Sequence, residues 1–273
     1  LRVRPYEVNE GETDAALDQW KRRASRCFEH QRDPLAFIAE AGKAFARIPT
    51  RDIKKPLVGV VGEIYVRNNA FSNEEVIRAV EAAGGEAWMA PICEWVLFTA
   101  QQDVENFVSM PKTLKETVNQ GKRIFKARFL QAEDHKFYDA AGAIIADRHE
   151  PSMEDVMIAG KRYIPFNIGG EVLITLGRAV HFVRQGAALI VNCSPFSCMA
   201  GTVGASLFSR MEEELQVPMV NLFYEGTGDE NRQLEVFLAN VDPNHPRSGP
   251  PSRTAVRRRR GLLNLFDGIA GHA

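Results

Sequence analysis

The chain has 273 residues, 45% of them hydrophobic and 25% charged, with a formal net charge of −1. That balance supplies a sizeable core and provides no global field to recruit nucleic acid or acidic lipid. No apolar run reaches the roughly 18–20 residues of a membrane span and no signal peptide is evident; four scattered cysteines are no secreted disulfide framework, so the expectation is a cytoplasmic protein.

The chain starts at Leu1 rather than Met, which reads as a piece of a longer polypeptide. Residues 1–11 look extended. The spacing of Ala16, Trp20, Ala24 and Phe28, then of Phe37, Ala41 and Phe45, predicts helices over Thr13–His30 and Pro34–Ile48. Asp33 before Pro34 is the pattern of an N-cap followed by proline at the first helical position. With the polar hinge Arg51–Pro56 these helices make an N-terminal segment, 1–56.

Leu57–Tyr65 reads as a strand, Arg67–Phe71 as a loop, and Ser72 with Glu75 as a capping box opening a helix that buries Val76, Ile77 and Val80. Gly84-Gly85 stops that helix and Glu86–Ala90 is a second strand. Glu94–Met110 and Lys112–Ala132 read as helices, and Glu133–Ala146 as a further helix and turn, so residues 94–146 form a helical insertion. Tyr163–Glu171 is a loop and Val172–Arg184 a helix. A buried strand, Ala188–Val191, then leads into Asn192-Cys193-Ser194-Pro195-Phe196-Ser197-Cys198. Gly204–Leu215 is a helix, Pro218–Phe223 a strand and Asn231–Asn240 a terminal helix. Residues 242–273, with the run Arg257–Arg260, read as a flexible basic tail. Strands alternating with helices through 57–241 predict an α/β domain whose mostly parallel, doubly wound sheet is Rossmann- or flavodoxin-like.

In such sheets ligands collect at the carboxyl ends of the strands, which singles out two stretches. One holds Cys193 and Cys198. Their four-residue separation is neither the zinc-ribbon nor the usual redox-pair spacing, so both roles stay open beside that of small loop residues. Cys198 precedes a glycine-containing helix start, where free amides and the helix dipole favour an anionic cluster. The other stretch holds Glu63, Tyr65, Arg67 and Asn69, which face the same crevice if the two strands are neighbours. Gly59-x-x-Gly62 lacks the dinucleotide fingerprint and no Walker A sequence occurs. Gly169 and Gly170, next to a helix start with Glu171, allow close backbone approach to a ligand or form a plain helix-entry turn. The histidines show no metal-ligand spacing, and His181 reads as a packed or surface residue.

GEIYVRNNAFSN (62–73), EAAGGEAWMAPICEW (81–95), NIGGEVLITLGRAVHF (167–182) and PFSCMAGT (195–202) resemble acyl-CoA dehydratase activase-related proteins. The resemblance is to their region similar to the D-component of 2-hydroxyglutaryl-CoA dehydratase. RPYEVNEGETD (4–14) and NRQLEVFL (231–238) fit as well, so it covers roughly residues 1–240. It implies a low-potential iron–sulfur protein working with an ATP-hydrolysing activase on CoA thioesters. Cys198 stands at the cysteine of the family's Pro-Phe-x-Cys-Met-Pro-Gly motif, with Ala200 in place of the proline, and is the implied ligand of a 4Fe-4S-type cluster. Cys193 is a second candidate, and the crevice residues would bind substrate or tune the cluster. Such clusters ordinarily need about four thiolates, so the rest of the site would lie elsewhere, before Leu1 or on a partner. The expectation is therefore an iron–sulfur domain contributing Cys198 to a larger assembly, compatible with a homo-oligomer. The alternatives are an assembly module with no cluster of its own and a thiol-redox protein using Cys193 and Cys198.

Overall fold

The computed structural model describes residues 1–108, 113–148, 150–168 and 170–241. The basic tail and Gly169 lie outside the described residues. Two helices, α1 (Glu12–Glu29) and α2 (Pro34–Phe45), precede the sheet. Asp33 caps α2 as expected, its carboxylate accepting from the Leu35 amide at 2.9 Å.

Four strands, β1 (Leu57–Gly62), β2 (Glu86–Met89), β3 (Ala187–Pro195) and β4 (Met219–Tyr224), form one sheet in the order β2-β1-β3-β4. Every pairing is parallel, so the chain has the expected α/β, Rossmann-like architecture. Parallel strands are buried on both faces, which is why β1 is apolar throughout. Val58 and Val60 pack with Leu189, Val191 and Val220 in one core layer, beneath α4 (Val76–Ala82) and α10 (Gln233–Ala239). Leu57, Val61 and Ile190 belong to the other layer, under α7 (Met153–Gly160), α8 (Val172–Arg184) and α9 (Met199–Leu215). Gly59 faces that second layer because any β-carbon there would run into Phe182 of α8.

Two readings between β1 and β2 are corrected. The strand ends at Gly62, and Ile64–Asn68 forms a short helix, α3, where a strand end and loop were expected. Its cause is Glu63, whose carboxylate accepts from the amides of Tyr65 and Val66 at 3.1 and 2.7 Å. The capping box at Ser72 does not form. Glu74 and Glu75 take left-handed φ values of 52° and 58°, and Asn73 instead accepts from the Val76 amide. At the other end of α4 the left-handed Gly84, φ 92°, turns the chain as expected.

The insertion consists of α5 (Glu94–Val108) and α6 (Leu114–Ala141). The latter is one helix of 28 residues rather than two, opened by a Thr113–Glu116 capping box. Gly42 of α2 lets that helix rest on the α6 backbone at Ala141, with no room for a β-carbon between them. At the amino end of β2, the buried Glu86 accepts from Tyr6 at 2.6 Å and pairs with Arg2 at 3.2 Å and Arg148 at 2.9 Å. Among the described residues no helix is long and apolar enough to cross a membrane.

Candidate functional site

The chain leaves β1 for β2 on one side and reaches β3 on the other, so the connections reverse between β1 and β3. Ligand crevices of open α/β sheets form at the carboxyl ends of such strands. As anticipated, the two are neighbours there. Gly62 is in register with Cys193, and the Glu63 amide donates to the Cys193 carbonyl at 2.8 Å. The left-handed Gly62, φ 114°, lies so close to Cys193 that a side chain would collide with its backbone.

The two carboxylates at this end are spent on structure. Glu63 caps α3, and Glu171 reaches across to accept from the Ile64 amide at 2.9 Å. Burial, with the neighbouring Glu63 charge, pushes the Glu171 carboxyl above its ordinary range despite that bond. Tyr65 is exposed, and its hydroxyl accepts from Asn69 at 2.8 Å. The Asn69 carbonyl in turn accepts from the amides of Phe71 and Ser72. Gly170 is exposed with a left-handed φ of 70° and open space around it.

Arg67 does not line the crevice. It is 1% exposed, donating to the carbonyls of Gly62 and Pro91 and pairing with Glu94 at 2.9 Å. Glu94, itself 0% exposed, gives its other oxygen to Arg178 of α8 at 2.7 Å. Arg178 continues to the buried Glu150, which also bonds Tyr138 of α6. Four charges of alternating sign thus run in a line from Arg67 to Glu150, tying α3, α5 and α8 together. Burial raises the Glu150 carboxyl against the pull of Arg178, and the two carboxylates hold the Arg178 guanidinium above its ordinary range against the same burial. Sequence reasoning missed Glu94, Glu150 and Arg178. The available signal was Arg178 itself, a charge inside the apolar helix LITLGRAVHFV, which a fold can bury only with a partner.

The thiols separate. Cys193 is fully buried in the layer with Val191 and Leu222, within 3.7 Å of the Tyr224 hydroxyl, and burial pushes it up to about 12. Cys198 is half-buried at the opposite end of the 195–198 turn, where it caps α9 and its sulfur accepts from the Gly201 amide at 3.4 Å. Cys93, half-buried, is pushed up to about 12 by burial and the neighbouring Asp134, and Cys27 lies between α1 and α2. All four are unpaired, and among the described residues no three Cys, His, Asp or Glu side chains converge as a metal site. A cluster needing three or four thiolates does not fit this donor set.

What the crevice end does offer is an apolar groove of about 680 Å³ between α3 and the start of α5. Ile64, Tyr65, Asn69, Ile92, Trp95 and Val96 line it. Tyr65, Ile92, Trp95 and Val96 are all exposed, a concentration of large apolar groups that a lone domain does not need. Among the described residues its lining holds no carboxylate, imidazole or amine, and both Asn68 and Asn69 amides are already engaged. No family model, curated protein or solved structure matches this chain.

Proposed function

We propose that the chain is a dehydratase D-component-like α/β domain that binds the acyl part of a CoA thioester in the Tyr65–Trp95 groove, within a system driven by an ATP-hydrolysing activase. The groove carries this reading. Its volume falls within the range of small-molecule sites, its walls are apolar, and it opens at the carboxyl end of the sheet. Cys198 is the thiol suited to meet a metal centre whose other ligands come from another polypeptide or another part of the assembly. Its sulfur is half-buried at the turn after β3, and a backbone amide already donates to it, as amides do to cluster sulfurs.

Titrating the purified chain with butyryl-CoA while following tryptophan fluorescence, with Trp95→Phe to isolate the Trp95 signal from Trp20 and Trp88, tests the groove. Saturable quenching is expected with butyryl-CoA and not with free CoA, and Ile92→Asp should abolish it. Equal responses to the two compounds would remove the acyl assignment. A second reading, an assembly module, is favoured by Phe196 and Met199, 63% and 75% exposed on either side of Cys198. It predicts that replacing those two side chains weakens capture of the activase and leaves the acyl titration unchanged.

A further inference from the structure

A second cleft, of about 370 Å³, lies where the end of α1 turns into the start of α2. Arg23, Arg26, His30 and Arg32 surround it, Phe37 supplies an apolar wall, and the buried Cys27 also lines it. The carboxylates Asp33 and Glu40 line it as well, and three of its charges are already committed. Arg23 bridges the helices to Glu40 at 2.7 Å and stacks over Trp20 at 3.9 Å, and the Asp33 carboxylate caps α2. Arg26, His30 and Arg32 differ. Among the described residues their side chains have no hydrogen-bond or ion-pair partner, and all three open onto the same concavity.

The turn that carries them is held in shape. Gln31 adopts a left-handed φ of 49°, the Arg32 amide donates to the Cys27 carbonyl at 3.0 Å, and the Cys27 thiol donates back to the Arg32 carbonyl at 3.7 Å. Arg32 therefore stands on a backbone fixed from both sides, and less ordering is left to be done on binding.

We propose that this cleft is a binding site for a phosphate-bearing small molecule. The planar forks of Arg26 and Arg32 match the oxygens of a phosphoryl group, His30 adds a donor, and Phe37 can carry the organic remainder of the ligand. The volume admits one or two phosphoryl groups with a small substituent and is too small for a peptide helix. The site is independent of the acyl groove, involving none of its residues.

Inorganic pyrophosphate, titrated by calorimetry and by amide NMR at constant ionic strength, is the probe. One saturable site is expected, with the largest amide shifts confined to residues 26–37. Arg26→Ala and Arg32→Ala should each weaken binding about tenfold, the loss of one charge-assisted contact. Arg47→Ala, an exposed arginine outside the cleft, should leave binding unchanged. Malonate, a dianion without tetrahedral oxygens, should bind at least about tenfold more weakly. Absence of a saturable site, amide shifts centred elsewhere, equal weakening by Arg47→Ala, or equal affinity for malonate would each overturn the proposal.

Discussion

The buried charge chain makes a quantitative prediction at Glu94. Its two oxygens serve two arginines, and all three side chains are 0–2% exposed. Glu94→Gln removes the negative charge and turns an amide N–H toward one guanidinium, leaving two buried cations with one neutral acceptor. Breaking a buried pair by removing one partner costs about 3–5 kcal/mol, a large fraction of the roughly 5–15 kcal/mol that stabilises a domain. Glu150→Gln should cost less, about 1–2 kcal/mol, because the Glu150 carboxyl is already pushed toward its neutral form and serves one arginine. Urea unfolding at pH 7, followed by circular dichroism with the denaturant slope checked for constancy, measures both losses. A Glu94→Gln loss below about 1 kcal/mol, or a larger loss for Glu150→Gln, would refute the view that Glu94 holds the chain of charges together.

Two further outcomes follow from the thiols and from His181. Iodoacetamide at pH 8 should label Cys198 in the folded protein and reach Cys193 only after unfolding, as read by peptide mass mapping, because one sulfur is at the rim and the other fully buried. Burial, then the charges of Arg178 and Arg184, lower His181 to about 4, with Asp155 opposing, and its ring packs edge-on to Trp88 at 5.8 Å. The folded state therefore resists a proton that the unfolded chain accepts near pH 6.5. His181's contribution to stability is intact above that pH and falls as pH drops toward 4. Relative to His181→Phe, the native protein should lose up to about 3 kcal/mol across that window. A difference that stays constant with pH would contradict the buried neutral imidazole.

The sheet was legible because its strands are short apolar runs bounded by glycine and proline, and α8 because Val172, Leu176, Ala179 and Val183 repeat at helical spacing. Alpha-helix α3 was not, because the apolar run of β1 continues through Ile64 and Tyr65 and nothing local says that Glu63 will cap. The end of α6 was misplaced for a similar reason. Nothing near Glu133 breaks a helix, and the chain stops only at the left-handed Gly142. The place of Cys198 in the turn after β3 and the β1–β3 juxtaposition were foreseeable from strand-end position. Arg67 was misjudged because its partner, Glu94, is 27 residues away and their pairing depends on the docking of α5. The groove escaped notice because Ile92, Trp95 and Val96 read as one helix start, and only the fold sets them opposite Tyr65.

Glu86 has a consequence for how the molecule holds together. Its carboxylate is answered by groups from the first residues of the chain and from the far end of the helical insertion, so no single stretch can satisfy it. A chain severed at the hinge after residue 56 would strand that buried anion with only Arg148 to answer it. The first residues of the chain, Arg2 and Tyr6, therefore act as the keystone of the sheet's lower rim, and heat should melt the N-terminal segment and the sheet in a single cooperative event.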